Sequence, residues 1–444
     1  MNNLKLIKDA KIVNSGEVFK SDILIENDRI KKISPKIDLK ISNIINANNK
    51  FVIPGVIDDQ VHFREPGLTH KASIYSESKA AVAGGITSFM EMPNTIPQTL
   101  NQKFLDQKFE IASKTSLANY SFYMGASNDN YDEILKINPK SVPGLKIFMG
   151  SSTGNMLVDN LNVLEKIFAN SNMLIAVHCE DERIVKSNLK KFKQQFGEKI
   201  PMKFHPIIRN REACIKSSSL AIDLAKKYNS RLHILHISTK EEISFFSNKI
   251  PLEKKMITSE ACIHHLIFDD SFYKNKGALI KWNPAVKTSY DKDAILNGLV
   301  NNNIDVIATD HAPHTLEEKM NSYPTCPSGG PMVQHSLVSM LEFFHSGKLS
   351  IEWIVEKMCH APAKCFKIKD RGFIKEGYYA DLVFLDFSNE WEVNNKNILY
   401  KCGWSPLEGM KFKSSIKSTF VNGNLVYNNG IFNENHKGTS LEFI

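Results

Sequence analysis

The chain has 444 residues, 42% of them hydrophobic, enough to bury the core of one large domain together with a smaller one. Its seven cysteines (Cys179, Cys214, Cys262, Cys326, Cys359, Cys365 and Cys402) are odd in number and form no Cys-x-x-Cys pair, which argues against a disulfide framework or a thiolate zinc site and fits a reducing cytoplasm. The formal net charge of +8 is spread along the chain rather than gathered in a basic stripe, so no nucleic-acid partner is expected; no signal-like start or bilayer-length apolar run stands out, so no membrane is expected either.

Residues 5–13, 17–25 and 29–33 are short alternating segments separated by the turn residues Asn14-Ser15-Gly16 and Glu26-Asn27-Asp28, a hairpin pattern. The same style returns at 380–385, 418–421 and 424–427, where Asn422-Gly423 is a strong two-residue turn signal. These two half-sheets are expected to form one small, sandwich-like β domain from residues 1–52 and 371–444.

Between them, apolar runs alternate with segments of helical length and spacing. Candidate buried strands lie at 51–58, 86–92, 119–124, 145–149, 174–178, 232–236, 256–261 and 304–309, and candidate helices include 76–83, 160–169, 211–227 and 291–300. Eight repeated βα units predict an α/β fold, a TIM-type (β/α)8 barrel over 53–370, whose chemistry belongs at the C-terminal ends of the strands.

The residues at those ends are of one kind. The first run is followed by Asp58, Asp59, His62 and Arg64, and the second by Asn94; Lys146 lies within the fourth, His178 and His236 close the fifth and sixth, and Asp310, His311 and His314 follow the eighth. His178 and His236 each end an apolar strand, where burying an unpartnered polar group costs on the order of a few kcal/mol. A divalent metal supplies the partner, since neutral imidazole suits zinc. Lys146 reads either as the partner of a carboxylate or as an N-carboxylated lysine whose carbamate bridges two metals. Asp310 reads either as a helix N-cap or as the general base for an activated water.

Other polar residues carry plainer readings. Strand alternation sends His233 to the face opposite His236, which makes it structural, and His264-His265 are assigned to packing or support. His205, His311, His335, His345 and His360 join no constellation, and residues 151–154 lack the spacing of a phosphate loop. No serine or cysteine has a partnered base, which disfavours nucleophilic catalysis. The segment 316–328 is the expected flexible loop over the site.

The ordered set Val-Ile-Asp-Asp-Gln-Val-His-Phe-Arg-Glu-Pro-Gly (56–67), Met-Pro-Asn-Thr (92–95), Leu-Lys-Ile-Phe-Met-Gly (145–150), Val-His-Cys-Glu-Asp (177–181), Leu-His-Ile-Ser-Thr (235–239), Asn-Pro-Ala (283–285) and Ala-Thr-Asp-His-Ala-Pro-His (308–314) closely resembles the dihydroorotases of the amidohydrolase superfamily. The resemblance implies that His62 and Asp310 serve one zinc, that His178 and His236 serve a second, and that Lys146 bridges them as a carbamate. It implies that Arg64, Asn94, Asn283 and His314 hold the substrate, with Arg64 meeting its carboxylate bidentately. The implied reaction is the interconversion of dihydroorotate and N-carbamoyl-aspartate in cytoplasmic pyrimidine synthesis. A homodimer and an association with aspartate transcarbamoylase are compatible with it.

One position departs from the family. Its first strand ends in His-x-His, and here Gln60 stands at the first of those positions, a neutral amide that binds zinc poorly. The resemblance therefore implies one or two zinc ions. Two rivals follow: a hydantoinase or dihydropyrimidinase, against which Arg64 argues, and an inactive dihydroorotase-like subunit, which Gln60 alone favours.

Overall fold

A parallel strand covered on both faces needs a nearly unbroken apolar run, and such runs form strands at Val56–Val61, Ile86–Glu91, Asn119–Phe122, Met124–Gly125, Leu145–Phe148, Ile175–His178, Leu232–Ile234, Ile257–Cys262 and Val306–Ala308. The computed structural model describes residues 4–150 and 155–444, so residues 151–154, assessed above as a phosphate loop, lie outside the described residues. The first three of these strands form one parallel sheet and the other six a second. Only Tyr123 separates Asn119–Phe122 from Met124–Gly125. At the other edge Val61 bridges His311 in parallel, and the His62 N–H donates to the His311 carbonyl at 2.7 Å.

Helices Ile74–Ala83, Gln102–Thr115, Leu161–Asn170, Glu182–Phe196, Arg211–Tyr228 and Ser289–Val300 connect the strands. Each starts where the sequence offers a side-chain acceptor for the free N–H groups of a first turn: Ser73, Asn101, Asn160, Asp181, Asn210 and Thr288 all accept one. The largest core cluster joins strand residues such as Phe89, Phe122 and Ile147 to helix residues such as Leu105, Leu164 and Leu224.

The terminal segments share one nine-stranded sheet. Its two halves meet edge to edge where Phe51–Pro54 pairs antiparallel with Leu382–Asp386. Asn422 and Gly423 take φ of 50° and 71°, the backbone of a two-residue hairpin turn, between the paired residues Val421 and Asn424. A separate ribbon pairs Trp391–Glu392 with Lys411–Phe412.

The single strand expected at 51–58 is two strands in different sheets. Gly55 is the crossing: its N–H donates to the carbonyl of Asp381 beside the terminal sheet, while the next N–H, of Val56, donates to Gly85 beside the parallel one. A Cβ at Gly55 would lie 1.9 Å from Thr87 Oγ1, so only glycine allows this close approach.

Candidate active site

Residues from both parallel sheets share a cavity of about 880 Å³, lined by Gln60, His62, Arg64, Asn94, Lys146, His178, His236, Asn283, Asp310 and His314. The metal-ligand, base and substrate-contact candidates of the sequence lie on that wall, whereas Asp58, Asp59 and His311 of the same strand ends do not. Arg64, His236 and Asp310 hold φ of 68°, 41° and 46°, in the left-handed region that ordinarily suits glycine. Such conformations cost about 1–3 kcal/mol each and persist where the surroundings impose them.

Two pairs of potential ligands stand out. His62 Nε2 is 3.2 Å from Asp310 Oδ1, while its Nδ1 lies 2.7 Å from Asn94 Oδ1. An amide oxygen accepts, so Nδ1 carries the proton and the Nε2 lone pair faces Asp310. Asn94 thus orients the His62 ring. In the second pair, His178 Nδ1 and His236 Nε2 face each other at 3.0 Å. His178 Nε2 lies 3.0 Å from Glu180 Oε2, and the fully buried Glu180 is ion-paired with Arg209. With its Nε2–H donated to Glu180, His178 turns the Nδ1 lone pair toward His236.

Burial, the largest influence on each, holds His62, His178 and His236 below the usual histidine pKa and so favours the neutral imidazoles that bind metals. Lys146 is 1% exposed, and burial pulls its ammonium pKa down to about 8 against the raising influence of Glu260 and Asp310. Gln60 does not present itself as a ligand. Its Nε2 donates to Asp310 Oδ1 at 3.3 Å, and its Oε1 accepts from the Cys262 thiol at 3.6 Å.

At the other side, Arg64 Nε donates to the Pro313 carbonyl at 2.9 Å and Nη2 lies 2.9 Å from His314 Nε2. Burial lowers the Arg64 pKa to about 10, which leaves it cationic at neutral pH. Lys71 Nζ is 3.0 Å from His314 Nδ1. Burial first, and then Arg64, keep His314 well below the usual range and therefore neutral.

Three sequence readings are corrected or extended. His233 was assigned to a structural face, but its Nε2 lies 3.5 Å from Asp59 Oδ2 and 3.3 Å from Glu260 Oε2, all three side chains fully buried. Among the described residues these three bring ligand atoms within 4.8 Å of one another. The alternation argument failed because the paired strand ends at Ile234, so its period does not carry through to His236. Glu180 was missed, although its position two residues after His178 was a usable signal. The segment 316–328, expected to be flexible, is fastened: Lys319 Nζ donates to the carbonyls of Lys281, Pro327 and Gly329, and Tyr323 bonds His205 at 2.8 Å.

A family model described as "Amidohydrolase family" matches residues 51–426. The chain is 30% identical over 429 residues to a dihydroorotase of Methanosphaera stadtmanae, covering 96% of both chains. It is 32% identical over 436 residues to a dihydroorotase of Lactococcus lactis subsp. lactis, covering 95% of this chain and 99% of the relative. Among solved structures it superposes on an L-hydantoinase (dihydropyrimidinase) from Arthrobacter aurescens with a TM-score of 0.92 at 26% identity, over 98% of each chain.

Proposed function

The chain belongs to the amidohydrolase family, and from that premise we propose that it is a dihydroorotase, a cyclic amidohydrolase that interconverts dihydroorotate and N-carbamoyl-L-aspartate. The observation that carries this reading is the buried, cationic Arg64 in the same cavity as the His and Asp pairs. A carboxylated ring needs such a partner and an uncharged one does not. The near-full-length kinship with dihydroorotases supports the same choice. The hydantoinase reading draws its support from the similarity of fold.

The proposal includes zinc. The donor set fits a divalent cation: His178 Nδ1 and His236 Nε2 face each other at 3.0 Å, and His62 Nε2 faces a carboxylate oxygen at 3.2 Å. His178, His236, His62 and Asp310 would hold the metal, with Lys146 between them. A divalent ion held there supplies Lewis acidity and makes hydroxide available near neutral pH. With a pKa near 8, the Lys146 amine is neutral in appreciable fraction and can add to carbon dioxide, forming the N–C bond of a carbamate and releasing a proton. Gln60, a donor to Asp310, leaves the His62 side one ligand poorer, which favours firmer binding at the His178 side.

In hydrolysis, Arg64 and His314 fix the substrate carboxylate and so place the ring amide opposite Asp310. Asp310 accepts the proton of the attacking water and returns it to the leaving nitrogen, while the Gln60 amide holds the Asp310 carboxylate in position. Ring closure runs the same proton transfer backwards. The proposal also takes the parallel strands as one closed (β/α)8 barrel over 53–370, in the cytoplasm. The Val61–His311 bridge and the continuity through Tyr123 support that closure.

The test is reconstitution. Protein stripped with a chelator and dialysed should not turn over dihydroorotate, and added zinc should restore turnover together with one or two equivalents of metal at the cavity ligands. Zinc-loaded protein with no turnover would favour an inactive homologue instead.

A further inference from the structure

Next to Gln60, on the Val56–Val61 strand, sits a second group of ionisable side chains that the proposed reaction does not use. Asp59, His233 and Glu260 come from three different strands and are all fully buried. Among the described residues, neither oxygen of the Asp59 carboxylate accepts a hydrogen bond. Among the described residues no lysine or arginine forms an ion pair with Asp59 or Glu260. Two carboxylates in a dry interior, with no lysine or arginine paired to them, are among the most costly arrangements a fold can contain.

The geometry discriminates between two ways of compensating them. An imidazolium between two carboxylates would draw their oxygens to about 2.7–2.9 Å. The observed separations from His233 Nε2 are 3.5 Å to Asp59 Oδ2 and 3.3 Å to Glu260 Oε2. Ligand atoms about 2.0–2.2 Å from one tetrahedral ion are separated by roughly 3.4 Å. The tautomer agrees with the ion. His233 Nδ1 lies 2.8 Å from Thr258 Oγ1, whose hydroxyl donates to the Leu232 carbonyl. Thr258 therefore accepts the Nδ1 proton, and Nε2 is the ring nitrogen that faces the two carboxylates and would offer its lone pair to an ion between them.

We propose that Asp59, His233 and Glu260 form a second metal site, for a divalent transition-metal ion such as zinc, distinct from the metal cluster that faces the cavity. Two carboxylates balance the charge of such an ion, and together with the His233 imidazole they are ligands suited to it. The ion would tie three strands together close to the reaction centre, because the other Glu260 oxygen, Oε1, accepts the His236 main-chain N–H at 3.0 Å.

Anomalous diffraction at the zinc edge from crystals of the zinc-loaded wild-type protein tests this directly. A peak within coordination distance of all three side chains, separate from any peak at His178 and His236, is expected. Occupied cavity ligands with no peak between Asp59, His233 and Glu260 would overturn the proposal. In solution, a His178→Ala/His236→Ala protein should keep about one zinc per chain after gel filtration, and adding Asp59→Asn should abolish that retention, with circular dichroism confirming the fold of both. A folded double variant that retains no zinc would equally overturn it. None of these readouts depends on turnover of dihydroorotate.

Discussion

Asp310 sits where its two contacts, His62 Nε2 and the Gln60 amide, constrain one and the same oxygen. In the proposed reaction the other oxygen carries the proton, and Asp310→Asn removes that capacity without changing volume. Turnover should fall about 10²–10⁴-fold with an unchanged circular dichroism spectrum; normal turnover would refute the assignment of the base. Glu180 acts one step further out, holding His178 by Nε2 while Arg209 holds Glu180. Glu180→Gln should therefore weaken zinc retention about 10–100-fold, as measured by competition with a chromogenic chelator, with a smaller effect on the affinity for substrate. The residues at strand ends were legible in the sequence because each is a polar break in an apolar run. Asp59, His233 and Glu260 were not, because their meeting depends on three strands aligning in space, which no spacing along the chain encodes.

At the scale of elements, two expectations failed for related reasons. The run 51–58 is uniformly apolar because both of its strands are buried, so hydrophobicity could not mark the change of sheet at Gly55. The segment 316–328 looked flexible because it is polar, yet buried lysines prop it from within: its own Lys319 donates to three carbonyls, and Lys281, from outside the segment, donates Nζ to the Tyr323 carbonyl at 2.8 Å. Burial lowers the Lys281 pKa from 10.5 to about 8. Between pH 8 and 10.5 the unfolded chain consequently binds more protons at this position than the folded one, and stability gains from rising pH across that window. Urea unfolding of the wild type should become more favourable to the native state by up to about 3 kcal/mol relative to Lys281→Met over the same range. Parallel pH profiles for the two proteins would contradict the burial of this ammonium.

The whole molecule joins two parallel-stranded sheets, which carry the candidate site, to a nine-stranded sheet built from both ends of the chain. The alternation of apolar runs and helix-length segments made the first legible, and turn residues such as Asn422-Gly423 the second. What a fold of this kind does not decide is the ring it opens, since a hydantoinase shares it with a TM-score of 0.92. That choice rests on Arg64, and the most direct measurement is kcat/KM for dihydroorotate and for dihydrouracil on the same zinc-loaded protein, alongside Arg64→Met. A charge-assisted contact of about 1.5–3 kcal/mol corresponds to a preference for dihydroorotate of at least roughly 10-fold, lost in Arg64→Met. Faster turnover of dihydrouracil by the wild type, unaffected by the substitution, would contradict the account.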